Sequence, residues 1–164
     1  RWRAGTALVR RRRLVVLACG NVSRGDDALG PLLLARIEAL RLDWLTAVED
    51  YQLNIEHALD LDGADLVLFI DAGMGTPAPF SFAEVAPDTA IAHSTHALEP
   101  PAVLATFARI TGRAPPAAFV LTIRGMSFEL GTAPSSESTA HLESAWRFVG
   151  DLLADASADR WRTL

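Results

Sequence analysis

The sequence predicts an α/β fold, a three-layer α/β/α sandwich with a mostly parallel central sheet. Short apolar runs recur along the chain, and most are followed by a turn and a segment whose apolar residues have helical spacing. The run Leu66 to Ile70 has no polar alternation, which is typical of a strand buried on both faces of a parallel sheet. Alternating strands and helices of this kind imply right-handed crossovers between parallel strands.

The predicted strands are short and mostly apolar. In the segment from Phe80 to Val85 apolar and polar residues alternate, which favours an edge strand or one arm of a hairpin. The full set of predicted strands is Leu14 to Ala18, Leu45 to Val48, Leu66 to Ile70, Phe80 to Val85 and Phe119 to Ile123.

Four helices are predicted between and after these strands. Asp62-Gly63 and Thr111-Gly112 end the second and third, because glycine commonly closes a helix. The predicted helices are Leu32 to Leu42, Leu53 to Leu61, Pro101 to Ile110, and a last helix with Leu142, Trp146, Val149 and Leu153 on one stripe.

Composition and charge limit the classes of protein. The chain has 164 residues, half of them apolar, which suits one domain over residues 14–155, with an arginine-rich lead-in at 1–13 and a tail at 156–164. The net charge of −5 gives no general attraction to nucleic acid or anionic membranes. The apolar run after Arg13 is too short for a signal peptide, so we expect a cytoplasmic protein. Cys19 is the only cysteine and is expected to pack as a small apolar residue.

The segment from Gly20 to Pro31 is the strongest candidate for a site. It follows the first predicted strand and precedes a helix, so it lies at the carboxyl edge of the sheet, where open α/β sheets bind ligands. Two adjacent carboxylates, Asp26 and Asp27, come just before the helix, whose dipole stabilises negative charge. Asp26, the outer member of this pair, is expected to cap the helix or to contact backbone.

Asp27, Asp71 and His96 all fall in predicted loops at a strand exit or a helix entry, and such loops gather along one edge of a parallel sheet. Two carboxylates and an imidazole suit a divalent first-row metal ion with open coordination positions. Residue types alone leave a second interpretation open. In that case Asp27 caps a helix, Asp71 caps a turn and His96 lies on the surface.

Three sequence blocks resemble the signature blocks of the hydrogenase maturation endopeptidases. They are Gly20-Asn21-x-x-x-x-Asp26-Asp27-x-x-Gly30, Asp71-Ala72-x-x-x-x-Pro77 and Ser94-x-His96-x-Leu98. The resemblance extends from about Leu14 to the final helix. Ala28 stands where the family usually has glycine, and His93 offers a second histidine, but His96 keeps the Ser-x-His pattern.

The resemblance implies a fold, an activity and a partner. The family fold is a three-layer α/β/α sandwich, and the proteases remove the C-terminal extension of a nickel-iron hydrogenase large-subunit precursor after nickel insertion. Asp27, Asp71 and His96 would then bind nickel that the substrate supplies, with no resident organic cofactor. The resemblance leaves the group that activates the attacking water unassigned.

Six further residues are expected to contact the substrate. Glycines allow positive φ and a close approach of another backbone, so the turn after Asp71 is a candidate wall for the peptide to be cleaved. The alternative is that this turn only connects two strands. The six residues are Gly20, Asn21, Asp26, Gly30, Gly73 and Gly75.

Two other functions are compatible with parts of the sequence. A non-catalytic nickel-binding or chaperone module could use the same three ligands. A phosphate-binding or nucleoside-binding enzyme is disfavoured, because Asp26 and Asp27 would repel phosphate and neither Gly-x-Gly-x-x-Gly nor a Walker motif occurs. The sequence also has no recognisable serine nucleophile elbow.

Overall fold

The central feature of the fold is a five-stranded sheet with the order β2-β1-β3-β5-β4. A computed structural model describes residues 12–88 and 98–164. β1, β2, β3 and β5 are parallel to their neighbours, and only β4, at the edge, runs antiparallel to β5. The strands are β1 (Leu14–Cys19), β2 (Leu45–Asp50), β3 (Leu66–Gly73), β4 (Phe80–Val85) and β5 (Ala117–Arg124).

Helices cover both faces of the sheet, which confirms the predicted three-layer fold. One layer holds α1 and α4 together with the short α5, and the other holds α2 and α3. The helices are α1 (Leu29–Glu38), α2 (His57–Asp60), α3 (Pro100–Thr111), α4 (Ser136–Ala154) and α5 (Ala158–Trp161). None of the helices in the described part of the chain is long and apolar enough to cross a membrane.

Alternation along β3 determines which side of the sheet carries its polar end. Leu68 and Ile70 pack against α1 and α4, whereas Val67 and Phe69 pack against α2 and α3. Successive side chains of a strand point to opposite faces, so Asp71 is on the α2/α3 face with Val67 and Phe69. The polar side chain at the carboxyl end of β3 therefore lies on the α2/α3 face of the sheet.

The strand order reverses between β1 and β3. From β1 the chain crosses to β2 on one side, and from β2 it crosses back over β1 to β3 on the other side. The loops that follow β1 and β3 therefore diverge and leave a crevice at the carboxyl ends of these strands. Open α/β sheets bind their ligands in this kind of crevice.

Two predicted helices differ from the observed ones at their starts. The chain after β1 forms a 3₁₀ turn over Gly25–Ala28 that runs directly into α1, so this helix begins and ends earlier than predicted. The second helix is reduced to α2, because Asn54 folds the preceding segment into a turn. The side-chain oxygen of Asn54 accepts a hydrogen bond from the backbone N–H of Glu56 (2.9 Å), and the backbone N–H of Asn54 donates to His57 Nδ1 (2.9 Å).

The buried stripe of α4 also differs from the prediction. Leu142 and Val149 are buried as expected, but Ala145 and Leu152 complete the stripe in place of Trp146 and Leu153, which are only partly buried.

The segment 156–164, predicted as a tail, packs against the sheet through Trp161. Trp161 of α5 is 1% exposed and packs edge-on against Phe119, with ring centroids 5.2 Å apart. Its indole N–H donates to the carbonyl of Leu152 at 2.9 Å. The short helix is capped by Ser157, whose hydroxyl accepts from the N–H of Arg160.

A buried carboxylate, Asp26, ties the loop after β1 to the segment between β5 and α4. Asp26 is fully buried, and its carboxylate accepts five hydrogen bonds. The donors are the N–H groups of Met126 (2.6 Å), Ser127 (3.1 Å) and Ser135 (2.6 Å), and the hydroxyls of Ser135 (2.9 Å) and Ser138 (2.6 Å). We call this arrangement the Asp26 clasp.

The clasp also influences the ionisation of Asp26. Burial raises the pKa of its carboxyl, but the hydrogen bonds from Ser138, Ser135, Met126 and Ser127 outweigh burial and lower the pKa from 3.8 to about 2. The carboxylate is therefore ionised in the folded protein at neutral pH. Its negative charge is stabilised by donors about 100 residues away in sequence.

We expect Asp26→Ala to lower the free energy of unfolding by at least about 3 kcal/mol, because several buried donors lose their acceptor. The pKa of Asp26 is lower in the folded chain (about 2) than its ordinary value of 3.8. The carboxylate therefore stabilises the fold fully above pH 3.8, and this stabilisation is lost as the pH falls towards 2. Denaturant unfolding of both proteins between pH 7 and pH 2 measures the loss and its pH dependence.

Asp151→Ala is the matched control, since Asp151 is an exposed carboxylate on α4. We expect it to change stability little at any of these pH values. Equal losses in the two variants would contradict the structural role of Asp26.

Candidate metal-binding cleft

A cleft of about 350 Å³ lies at the carboxyl edge of the sheet, on the α2/α3 face. Its walls come from β1, β3 and β5, from the loop after β2 and from the start of α3. Its ionisable and polar lining side chains include two of the three predicted metal ligands. The ionisable and polar side chains that line the cleft are Cys19, Asp27, Tyr51, Gln52, Asp71, Glu99 and Thr122.

Asp27 reaches the cleft from the 3₁₀ turn after β1. Its carboxylate accepts a hydrogen bond from the N–H of Asn21 at 2.8 Å, and the side-chain oxygen of Asn21 accepts from the N–H of Ser23 at 2.9 Å. Gly20 has φ of 150°, and a Cβ at this position would lie 2.0 Å from the carbonyl oxygen of Asp27. Gly20 and Asn21 therefore shape the loop that presents Asp27.

Asp71 enters the cleft from β3, where it is the register partner of Thr122 on β5. Its carboxylate is open to solvent at the mouth of the cleft, but protein surrounds it on the other sides. Burial, and to a smaller extent the charges of Asp27 and Glu99, raise its pKa from 3.8 to about 6 against the opposing hydrogen bond from Ala72 N–H. Crowded carboxylates of this kind favour a cation between them.

The third predicted ligand, His96, and the second histidine of that block, His93, both lie outside the described residues. Leu98, two positions after His96 in sequence, lines the cleft together with Glu99. Within residues 12–88 and 98–164, no three potential metal-ligating side chains form a group that could hold an ion. The structure thus brings Asp27 and Asp71 to one cleft.

Cys19 also lines the cleft, at the end of β1. Burial, and to a smaller extent the charges of Asp71, Asp50 and Asp27, raise the pKa of its thiol from 9.0 to about 12. The thiol is therefore protonated at neutral pH and is not a nucleophile. It is a buried, free cysteine that packs against the α2/α3 layer, as predicted.

Two of the residues predicted to contact the substrate, Asp26 and Gly30, are buried. Asp26 is 0% exposed and all of its contacts belong to the clasp. Gly30 is buried in α1, and a Cβ there would lie 2.6 Å from the carbonyl oxygen of Cys19, so it allows the helix to approach β1 closely.

Gly73 and Gly75 differ in what surrounds them. Gly73 is the last residue of β3, which continues past Asp71, and a Cβ there would lie 2.4 Å from Thr76 Oγ1 and 2.9 Å from Thr122 Cγ2. Gly75 is exposed, and a Cβ there would meet no atom within 4 Å. Only Gly75 can therefore take a side chain without rearrangement.

Sequence patterns did not identify Glu99, Thr122 or the Asp50–His57 pair beside the cleft. His57 is 5% exposed and its Nε2 lies 3.3 Å from a carboxylate oxygen of Asp50, the last residue of β2. Thr122 was detectable in principle, since it is the polar residue near the end of a predicted buried strand parallel to β3. Glu99 was also detectable, since it is an acidic residue immediately before the predicted helix that became α3.

Several solved structures have a similar fold. A [NiFe] hydrogenase maturation protease HycI from Thermococcus kodakarensis KOD1 has a TM-score of 0.67 and 23% identity, over 90% of this chain and 96% of that one. The hydrogenase maturating endopeptidase HybD from E. coli has a TM-score of 0.65 and 23% identity, over 87% and 93% of the two chains. A hydrogenase 2 maturation peptidase from Thaumarchaeota archaeon SCGC_AB-539-E09 has a TM-score of 0.63 and 21% identity, over 87% and 99%.

These similarities show that the chain shares the fold of the three structures over nearly its whole length. No protein-family model and no curated protein matches the sequence. The fold implied by the sequence resemblance is thereby confirmed.

We expect Asp71→Asn to stabilise the protein at neutral and alkaline pH. The pKa of Asp71 in the folded chain (about 6) lies above its ordinary value of 3.8, so ionisation of this carboxyl disfavours the folded state. The variant should melt at a higher temperature than the wild type at pH 8. The difference should shrink as the pH falls below 6 and vanish below 3.8.

Asp62→Asn provides a control of opposite sign. The hydrogen bond and the charge of Arg113 lower the pKa of Asp62, so its ionised form favours folding. This variant should melt below the wild type at pH 8. An Asp71→Asn variant that also melts below the wild type at pH 8 would contradict the electrostatic crowding of the cleft.

Proposed function

We propose that the chain is an endopeptidase that removes the C-terminal extension of a nickel-iron hydrogenase large-subunit precursor after nickel insertion. One observation carries the proposal. Asp27 and Asp71, two of the three residues that match the ligand positions of the resembled family, line one cleft at the reversal of strand order. The fold shared with structures named as hydrogenase maturation proteases supports it.

In this proposal the nickel belongs to the substrate. Asp27 and Asp71 supply one or more carboxylate oxygens each, His96 supplies an imidazole nitrogen, and the precursor supplies the remaining ligands. Asp71 supports this arrangement because it carries an unfavourable negative charge that a cation would stabilise. Coordination would also fix the precursor in one orientation against the cleft.

Orientation is the main contribution that these residues can make to cleavage. Holding a peptide bond and a water molecule in a reactive arrangement accounts for a large part of many enzymatic rates. A metal-polarised carbonyl and an activated water would complete hydrolysis without a protein nucleophile. The protonated thiol of Cys19 is consistent with such a reaction, because it leaves no activated cysteine in the cleft.

A non-catalytic nickel-binding or chaperone module in hydrogenase assembly is the second candidate. The observation in its favour is that no nucleophile with a lowered pKa lines the described part of the cleft. A phosphate-binding function is disfavoured further, since the described lining holds Asp27, Asp71 and Glu99 and no basic residue. Both of the nickel-dependent functions would place the protein in the cytoplasm, where we propose that it acts.

Incubation with nickel-loaded and nickel-free precursor, followed by intact-mass measurement, separates the two candidates. The endopeptidase shortens the nickel-loaded precursor and leaves the nickel-free form whole. A chaperone binds the precursor and produces no mass change. Cleavage of both forms at equal rates would point to a protease that does not recognise nickel.

Asp27→Ala, Asp71→Ala and His96→Ala should each reduce cleavage of nickel-loaded precursor by at least about a hundredfold. Circular dichroism and melting should show that each variant keeps its fold, and Asp27 and Asp71 lie outside the buried core. Asp27→Ala loses one hydrogen bond, to Asn21 N–H, and should cost about 1 kcal/mol of stability. Asp60→Ala, an exposed carboxylate on α2, is the control and should cleave normally.

Gly75→Val tests the turn after β3 as a wall for the peptide substrate. The added side chain has open space around it, so we expect an unchanged melting temperature and a raised KM for precursor. Gly73→Val should instead destabilise the fold, because its side chain would collide with Thr76 and Thr122. Normal KM in a folded Gly75→Val variant would show that the turn is only a connection.

A further inference from the structure

Exposed apolar side chains are concentrated in the loops at the edge of the sheet that carries the cleft, and we call this set the apolar rim. Within the described residues, six of the eleven large apolar side chains that are exposed belong to loops at the carboxyl edge of the sheet. These loops follow β1, β2, β3 and β5, so each of the four parallel strands contributes. The rim residues are Val22 (57% exposed), Tyr51 (73%), Ile55 (60%), Met74 (54%), Met126 (40%) and Leu130 (71%).

The distribution of these side chains is informative, although their number is not. Single exposed apolar residues are normal on a folded protein. A concentration of them around one cleft marks a binding surface. Tyr51 lines the cleft itself, so the rim adjoins the cleft at this residue.

The size and charge of the cleft indicate what the rim binds. About 350 Å³ accommodates a few side chains, so most of a polypeptide ligand must lie outside the cleft on the rim. The described lining is acidic, with Asp27, Asp71 and Glu99 and no basic residue. A complementary partner has a positive centre surrounded by apolar surface.

We infer that the apolar rim is the docking surface for a folded protein substrate, whose cationic centre enters the cleft while its apolar surroundings cover the rim. This inference rests on the proposed function and specifies how the precursor is recognised. Most of the binding free energy comes from apolar contact between the substrate and the rim. The carboxylates in the cleft contact only the cationic centre of the substrate. The chain therefore recognises a folded surface of the precursor in addition to the peptide bond that it cuts.

A triple variant of the rim tests the inference. Ile55→Ser, Met74→Ser and Leu130→Ser remove apolar side chains from three loops, and none of these three side chains lines the cleft. The control variant combines Leu40→Ser, Leu59→Ser and Ile110→Ser, which are exposed to similar extents (45%, 65% and 58%) on or beside helices. KM, kcat and the Kd for nickel-loaded precursor are measured for both variants and for the wild type, at 50 and 500 mM KCl.

We expect the rim variant to raise KM and Kd by about tenfold or more, with kcat and melting temperature unchanged, and the control to match the wild type. Because apolar contact is little screened by salt, the Kd of the wild type should change less than about threefold between the two salt concentrations. A rim variant that binds like the control, or a wild-type Kd that rises more than about tenfold with salt, overturns the inference.

The same measurements distinguish a failure of the endopeptidase proposal from a failure of the rim proposal. A wild type that binds precursor without cleaving it contradicts the endopeptidase, while the Kd values still decide on the rim. A wild type that cleaves precursor while the rim variant shows an unchanged KM refutes the rim alone. A wild type that neither binds nor cleaves refutes both.

Discussion

The buried carboxylate of Asp26 is the interaction on which the site depends. It links the turn after β1 to the segment after β5 and to the first turn of α4. The backbone of the turn is held in the same way, since Asp26 N–H donates to the carbonyl of Ser127 at 2.9 Å. Asp27, the next residue, is thereby fixed at the cleft.

Asp26 and Asp71 have opposite electrostatic environments. Asp26 is surrounded by donors and has a pKa lowered to about 2, so its charge stabilises the fold. Asp71, across the cleft from the turn, lies beside other carboxylates and has a pKa raised to about 6. In the protein without a bound cation, the ionised carboxylate of Asp71 opposes folding. Closely placed carboxylates have this effect at sites that bind cations. The fold tolerates this because β3 lies between two parallel neighbours at the centre of the sheet.

Much of the fold was predictable because it depends on local pattern. Leu66 to Ile70 reads as a buried strand from its apolar run alone, and the helix and strand alternation implies the parallel sheet around it. Asp27 and Asp71 were predictable as neighbours for the same reason, since both follow parallel strands. The resemblance of the sequence blocks pointed to the same two positions.

What the sequence patterns missed depends on contacts between distant segments. Asp26 looks like a helix cap until its partners near residues 126 and 138 are known. Trp161 lies in a polar stretch that reads as a tail, but its ring packs edge-on against Phe82 and Phe119. Gly30 and Gly73 read as flexible ligand-binding glycines, whereas each allows close packing with atoms that periodicity does not reveal.

X-ray absorption at the nickel edge gives the most direct test of the central claim that Asp27 and Asp71 bind the nickel of the substrate. Spectra of nickel-loaded precursor would be recorded alone and after rapid mixing and freezing with the wild-type chain or with Asp27→Ala. We predict that the wild type adds oxygen ligands to the nickel and that the variant adds fewer. A nickel coordination shell that is unchanged by the wild-type chain would contradict the account.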